Sequence, residues 1–325
     1  MAVDVERFGR LILAGMPRSG TTLVATLLAA QPQIHFLTDY FPAFLEVQRR
    51  LGRAWNAPLD ASERRIALAL VRDQFLRVRH PVLVKLDAFA SVDDLHRRVL
   101  EELAAPGELW LGHKLLLSPV ELRATLQQTD LRCLLLLRDP RDAALSFFHR
   151  TGGGVEIYAR NWRDTARLCR QLVGHPRLLA LRFEDLIAEP DATLKRLGDW
   201  LGVGIDAQVG QLHFQRSRAH GATEWRENSA FQDVSGRFAR EPVGRWKNQG
   251  DSPLARDITR YAAWVTRREL AAFGYEPAGT SSPRERARFA CLQALERSEH
   301  WAHDSVNGAG RWLRHKLKGA AGTER

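Results

Sequence analysis

The sequence has few cysteines, few lysines and no long apolar run. Its three cysteines, Cys133, Cys169 and Cys291, form no CxxC pair, so neither a disulfide framework nor a structural zinc site is expected. No apolar stretch approaches the ~20 residues that span a bilayer. Pro17 and Gly20 interrupt the first apolar stretch before it could act as a signal sequence. These absences predict a cytoplasmic protein.

Cationic side chains outnumber anionic ones, and nearly all of them are arginine. Lys and Arg total 48 against 38 Asp and Glu, which gives a net charge of +10, and only six of the 48 are lysines. The planar guanidinium group suits bidentate recognition of phosphate, sulfate or carboxylate. Most of these arginines fit an ordinary charged surface, whereas a few occur in motifs that point to an anionic ligand.

Short apolar runs alternate with helical patterns along the 325 residues. The runs 11–14, 131–137 and 178–183, with a weaker one at 109–112, are typical of strands that are covered on both faces. Helical patterns fill the intervals at 62–78, 91–104, 118–128, 155–173, 190–201 and 253–273. This alternation predicts an α/β fold, with a P-loop-type parallel sheet flanked by helices in a single domain with helical insertions on the substrate side.

Three later segments depart from this pattern. Residues 214–250 are rich in Arg and Gly without clear periodicity, which predicts a long functional loop. Residues 276–283 read as a linker. We therefore expect a domain over 1–277 and a basic, helical C-terminal extension over 278–325, which could pack on the domain or touch a membrane peripherally.

A glycine-rich segment follows the first predicted strand. Gly15-Met-Pro-Arg-Ser-Gly-Thr-Thr22 has the glycine spacing of a Walker A loop, but Thr21 stands where that loop has lysine. Such a turn directs backbone N–H groups and a helix dipole at one point, where an anion binds. The candidate anion-binding residues are Pro17, Arg18, Ser19, Gly20, Thr21 and Thr22. Because Thr22 could still meet Mg²⁺, the loop alone leaves a P-loop kinase or NTPase open.

A second anion site is predicted at the end of the run 131–137. Arg138 ends that run, where open α/β sheets place their ligands, and Pro140 suits the first turn of a following helix. Ser146 falls about two turns into that helix, so both side chains could reach a second phosphate. Two other interpretations remain open here, namely Asp139 as a Walker B carboxylate and 138–142 as a surface salt-bridge cluster.

Together these two segments resemble the 5′-phosphosulfate and 3′-phosphate loops of the PAPS-dependent sulfotransferase superfamily, where PAPS is 3′-phosphoadenosine-5′-phosphosulfate. Pro17-Arg-Ser-Gly-Thr-Thr22 is similar to the first loop, and its arginine form is closer to the bacterial and tyrosylprotein branches. Arg138 and Ser146 match the 3′-phosphate pair. Weaker similarities are Arg182-Phe-Glu-Asp-Leu186 and Gly244-Arg-Trp-Lys247, and the resemblance covers residues 8–277.

The resemblance implies a metal-free transfer of the sulfuryl group of PAPS to a hydroxyl acceptor. It assigns the loop, with Arg18, to the 5′-phosphosulfate, and Arg138 and Ser146 to the 3′-phosphate. Lys114 matches a lysine that assists the sulfuryl group. Arg245 and Lys247 would close over the nucleotide from the long loop.

An acceptor hydroxyl also needs a base. Tyrosylprotein-like relatives carry a Glu 21 residues beyond the loop arginine, and Asp39 stands at that position here. As a carboxylate with an ordinary pKa of ~3.9, Asp39 would need partial desolvation to act near neutrality. Asp39 could instead cap a helix near Phe41. His35 is the alternative base.

The sequence leaves the acceptor open among a sugar, a lipid, a phenol and a peptidyl tyrosine, and it leaves the oligomeric state open. The main alternative function is a P-loop kinase or NTPase, which must explain the missing lysine. A non-catalytic binder of nucleic acid would need basic clusters interleaved with aromatics. Since the sequence has little of that outside the tail, no nucleic-acid partner is expected.

Overall fold

Five parallel strands form the centre of the molecule. The structure is a computed structural model that describes residues 8–77, 89–206, 243–248, 252–277, 279, 281–292 and 294, except for the side chains of Asp39 and Tyr40. The strands are β1 (Gly9–Gly15), β2 (Ile34–Tyr40), β3 (Trp110–Leu115), β4 (Arg132–Leu137) and β5 (Leu178–Arg182). Their order in the sheet is β2-β3-β1-β4-β5, and every pair is parallel. The predicted parallel α/β sheet is confirmed.

Helices connect the strands and flank the sheet. They are α1 (Thr21–Ala29), α2 (Ala43–Leu51), α3 (Ala61–Arg77), α4 (Val92–Leu103), α5 (Pro119–Gln128), α6 (Pro140–Thr151), α7 (Val155–Gln171), α8 (Phe183–Ala188), α9 (Pro190–Leu201) and α10 (Pro253–Ala272). The local sequence explains where two of these helices begin. Ser118 and Glu121 form a capping box at the start of α5, and Asp139 caps α6 just before Pro140. None of the described helices is long and apolar enough to cross a membrane.

The alternation of side chains along β1 divides the core between the two faces of the sheet. Leu11 and Leu13 pack with residues of α1, α8 and α9, while Ile12 and Ala14 pack with residues of α2, α3, α4 and α5. All four side chains are fully buried, as expected for a central parallel strand. A third apolar cluster joins α6, α7 and α10, and it supports the edge of the sheet at which the strands end.

Three elements, β2, α2 and α8, lie outside the predicted set. β2 is an edge strand in which His35, Thr38 and Asp39 interrupt the apolar pattern, so its sequence carries no continuous strand signal. α2 follows directly, with Pro42 at its N-cap position and no side-chain cap, so the interpretation of Asp39 as a helix cap is not supported. β2 pairs with β3, and the ring of Phe44 in α2 lies 5.8 Å from that of His113 in β3, so β2 and α2 shape the neighbourhood of the predicted site.

The first part of the predicted extension packs on α10. Residues 283–292 are helical, and Phe289 is buried with its ring 5.4 Å from that of Tyr261. Arg288 and Asp257 add an ion pair at 2.9 Å. The boundary at residue 277 stays a prediction, and the tail beyond residue 294 lies outside the described residues. The predicted loop over 214–250 is likewise outside them, except for 243–248.

Candidate active site

The glycine-rich segment forms a tight turn between β1 and α1. Arg18 has φ 69° and Gly20 has φ 91°, so both adopt the left-handed region, which L-residues other than Asn and Asp rarely visit. Gly20 is the N-cap of α1 and contributes no side-chain cap, and the first turn carries no acidic residue. The N-terminal N–H groups of α1 and the positive end of its dipole therefore face the space above the loop, where an anion is stabilised.

Close packing fixes this turn against the sheet. A Cβ atom on Gly15 would lie 2.9 Å from the Leu136 carbonyl oxygen, and one on Gly20 would lie 2.4 Å from the Phe183 ring. Thr21 is 6% exposed. The residue in the Walker lysine position is thus buried and uncharged, which leaves no point charge there for a triphosphate.

Arg138 and Ser146 both contact the loop arginine. Arg138 follows β4, and its guanidinium donates a 2.9 Å hydrogen bond to the Arg18 carbonyl oxygen. On α6, the Ser146 hydroxyl oxygen accepts a 3.0 Å bond from Arg18 Nε. The Trp162 indole donates to the Arg138 carbonyl at 2.9 Å and fixes the backbone there. The two predicted anion segments are therefore parts of one continuous site, with Arg18 between them.

Three further guanidinium groups lie near that of Arg18. Partial burial and the nearby charges of Arg138, Arg150 and Arg245 lower the pKa of Arg18. Like charges held together in this way favour an anion between them, because a bound phosphate removes their mutual repulsion. Arg150 was missed from the sequence, although its position one turn beyond Ser146 on α6 puts both on one face. That spacing was a readable signal.

Lys114 approaches the loop from the neighbouring strand. It lies on β3, opposite Leu13 of β1 in the register, and its ammonium donates a 3.4 Å hydrogen bond to the Thr22 hydroxyl. The strand order carries this residue to the loop, because β3 pairs directly with β1. Lys114 thus adds a fifth cation to the site, on the side of Thr22.

A short 3₁₀ turn, Arg245–Lys247, is held against α6. The Asp142 carboxylate accepts hydrogen bonds from the N–H groups of Gly244 at 2.7 Å and Trp246 at 2.8 Å. Burial raises the pKa of Asp142, a cost that these bonds offset. This anchor brings Arg245 near Arg18. Lys247 instead pairs with Glu276, so the structure does not bring it into the cluster.

The two candidate bases occupy different ends of β2. His35 pairs with Leu111 in the register, level with Arg10 of β1, so along the strand direction it lies about 16 Å before the level of Gly15, at ~3.3 Å per residue. Its ring contacts Glu108 at 3.3 Å. His35 is therefore not part of the site. β2 ends at Tyr40 beside Lys114, so position 39 is at the correct edge, but the Asp39 side chain lies outside the described residues.

Asp139 does not take the position of a metal-binding carboxylate. It is 6% exposed, and both of its oxygens accept bonds from the Arg141 guanidinium, at 2.9 and 2.6 Å. No group of three or more potential metal ligands occurs among the described residues. The Walker B interpretation is not supported, and the 138–142 segment contains a buried ion pair rather than a surface cluster.

Two further residues contact the site, Tyr158 without any sequence signal and Phe183 within the weak similarity over 182–186. The Tyr158 hydroxyl donates a 2.8 Å bond to the Pro17 carbonyl and so ties the loop to α7. Phe183 contacts the Arg138 guanidinium, whose centre is 5.0 Å from the ring centroid. Their roles depend on which elements pack together, which only the folded chain reveals.

A strand-loop-helix anion cradle at the carboxyl edge of a parallel sheet, with arginines around it, is typical of proteins that bind a phosphorylated ligand. A family model described as "Sulfotransferase family" matches residues 11–207, more than half of the chain. The chain belongs to the sulfotransferase family. The kinase-like alternative is not favoured.

Several solved structures match this chain over most of its length. The sulfotransferase domain from the curacin biosynthetic pathway matches with a TM-score of 0.53 and 18% identity over 83% of this chain and 99% of that domain. A sulfotransferase domain from the olefin synthase of Synechococcus PCC 7002 has a TM-score of 0.49 and 16% identity, covering 85% and 98%. Retinol dehydratase in complex with androsterone and the inactive cofactor PAP has a TM-score of 0.45 and 18% identity, covering 85% and 83%.

Proposed function

We propose that this chain transfers the sulfuryl group of PAPS to a hydroxyl acceptor. The observation that carries the proposal is the group of guanidiniums around Arg18, next to the uncapped start of α1. A donor with an anionic group at each end of one adenosine fits this arrangement better than a triphosphate does. The 5′ end would meet the loop, and the 3′-phosphate would meet Arg138, Ser146 and Arg150.

Residues 17–22 and Lys114 would act on the 5′ side of the donor. When bound, PAPS supplies the sulfuryl group, and its phosphate leaves with the electron pair of the broken S–O bond. The N–H groups at the start of α1 and Arg18 would stabilise the charge that gathers on this phosphate, and Lys114 would contact the sulfuryl group that is transferred. Preorganised donors of this kind contribute the largest share of many rate enhancements.

Asp39 is our proposed base for the acceptor hydroxyl. It would accept the proton that leaves when the acceptor oxygen bonds to sulfur. Two observations favour Asp39 over His35 as the base. The end of β2 lies beside Lys114, whereas His35 lies far from the loop. Arg245 is proposed to close over the nucleotide, since the N–H groups of Gly244 and Trp246 on either side of it donate to Asp142.

The cytoplasm is the compartment that we propose. Cys133 and Cys169 are free thiols buried in the core, a state that suits a reducing environment. The partner is a hydroxyl-bearing acceptor, and peripheral membrane contact through the tail remains a prediction.

Ligand-dependent thermal stability tests the donor. We expect adenosine 3′,5′-bisphosphate to raise the melting temperature without Mg²⁺, because a ligand that binds only the native state stabilises it. ATP with Mg²⁺ should have a much smaller effect at equal concentration. If ATP with Mg²⁺ raised the melting temperature and adenosine 3′,5′-bisphosphate did not, this result would contradict the proposal and favour a kinase.

A further inference from the structure

A cavity of about 300 Å³ opens beside the loop. The loop contributes Met16 and Pro17, and the chain after β3 contributes Leu116 and Leu117. α6 and α7 complete the wall with Phe147, Gly154, Ile157, Tyr158 and Asn161. Leu116 stands two residues after Lys114, so the cavity lies next to the predicted position of the sulfuryl group. Its volume is at the small end of the ~300–1,000 Å³ range of ligand pockets.

The wall of this cavity is mainly apolar. The rings of Phe147 and Tyr158 lie 4.9 Å apart, and the Tyr158 hydroxyl is engaged by the Pro17 carbonyl. Tyr158 therefore offers its ring rather than its hydroxyl. Ile157, 39% exposed, adds an aliphatic side chain from the first turn of α7.

Most polar groups of the wall are engaged with one another. One Glu121 oxygen accepts from Arg49 Nε at 2.9 Å, and the other accepts from the Ser118 N–H at 2.8 Å. The Ser118 hydroxyl in turn accepts from the Glu121 N–H at 3.3 Å. Asn161 is the remaining polar side chain. A sugar, whose hydroxyls all need partners once buried, would lose hydrogen bonds here.

We infer that this cavity receives the acceptor, and that the acceptor is a small apolar hydroxyl compound, a monocyclic phenol or short-chain alcohol, rather than a sugar or a peptidyl tyrosine. This inference rests on the proposed function, since it locates the acceptor of the same transfer. The volume equals that of about ten water molecules in the liquid, enough for one ring with a short chain.

The test is transfer from labelled PAPS to phenol and its 4-methyl, 4-ethyl and 4-propyl derivatives. The full-length protein is used, with binding of adenosine 3′,5′-bisphosphate measured in parallel. We expect kcat/KM to rise about fourfold with each methylene, the factor that corresponds to ~0.8 kcal/mol per buried CH₂. Glucose and a tyrosine-containing peptide should be poorer acceptors than 4-propylphenol.

Ile157→Asn should flatten this rise by introducing an amide into the apolar wall. Ile66→Asn is the matched control, because Ile66 is 36% exposed on α3, close to the 39% of Ile157, and lies outside the cavity. The control should leave the rise intact. Equal effects of the two substitutions would overturn the assignment of the cavity.

The outcomes separate this inference from the proposed function. If the nucleotide binds but kcat/KM is flat along the series, or glucose or the peptide is preferred, the inference is wrong and the proposed function stands. If the nucleotide does not bind and no acceptor is labelled, the proposed function itself is wrong.

Discussion

At the scale of single residues, Lys114 illustrates how one side chain acquires a role through its neighbours. It lies between His113 and Leu115 in β3, and its ammonium reaches Thr22 at 3.4 Å. Arg18 occupies the other side of the loop, where its Nε donates to Ser146. The two cations therefore approach the predicted donor from different directions, and their contributions to binding and turnover should differ.

Lys114→Met should lower kcat by about 100-fold, the effect of removing one preorganised charge from a transition state. The affinity for adenosine 3′,5′-bisphosphate, measured by calorimetry, should change little because that product lacks the sulfuryl group. Lys195→Met, which removes an exposed lysine of α9, is the matched control and should leave both quantities unchanged. A loss of affinity that parallels the loss of kcat would contradict the role of Lys114.

Gly20 gives a second residue-scale test. Gly20→Ala should destabilise the protein and weaken nucleotide binding by more than tenfold, because the new Cβ meets Phe183 at 2.4 Å and displaces the loop. Gly107→Ala is the matched control: its φ is 93°, but nothing lies within 4 Å of the added Cβ. The control should cost only the ~1–2 kcal/mol of a left-handed L-residue. Chemical denaturation and calorimetry give the two readouts.

Equal losses of stability in Gly20→Ala and Gly107→Ala, with unchanged nucleotide binding in both, would show that the loop does not need its close contact with Phe183.

At the scale of elements, a buried polar chain ties β1, α4 and β3 together. Arg10 donates to Nδ1 of His96 at 3.2 Å, and Nε2 of His96 lies 2.9 Å from Nε2 of His113. Since arginine can only donate, His96 must carry its proton on Nε2 and donate it to His113. Both imidazoles are fully buried, so this chain requires them to be neutral.

Burial lowers the pKa of His113 from 6.5 to about 4. Between these values the unfolded chain binds the proton and the native state does not, so stability falls as pH falls. For this group alone, the free energy of unfolding should drop by about 2 kcal/mol between pH 7 and pH 5. His113→Gln, which keeps an acceptor for His96 but cannot titrate, should reduce that drop.

The control for this pH dependence is His149→Gln, which replaces an exposed histidine of α6. It should retain the full drop in denaturant unfolding measured at the two pH values. An unchanged drop in His113→Gln would contradict the neutral pair.

At the scale of the whole molecule, the strands that consist of continuous apolar runs were predictable from the sequence. The alternation of these strands with helices was predictable as well. The four predicted runs correspond to β1, β3, β4 and β5. β2 was not predictable, because an edge strand covered on one side tolerates the polar residues that break its pattern. Sequence patterns cannot give the register of a strand either, which is why His35 was a candidate although it lies at the far end of β2.

The site was predictable to the extent that its residues belong to local motifs. Arg18, Thr22, Arg138 and Ser146 occur in two short segments, and the structure brings these segments together. The hydrogen bond that Gly244, at the start of the 3₁₀ turn, donates to Asp142 joins residues 102 positions apart in the chain. No local pattern indicates this bond. The cavity beside the loop depends on α6 and α7 packing against the end of β3, which is also a property of the folded chain alone.

The proposed function requires that one donor is held at both of its phosphate ends. A comparison of two ligands on the native protein and two variants tests this directly. Calorimetry would measure the affinities of adenosine 3′,5′-bisphosphate and adenosine 5′-monophosphate for the native protein, for Arg138→Ala and for Arg170→Ala, an exposed arginine of α7. We expect more than a tenfold preference for the bisphosphate, lost in Arg138→Ala and kept in Arg170→Ala, because a charge-assisted pair to the 3′-phosphate is removed. Equal affinities of the native protein for the two nucleotides would contradict the account.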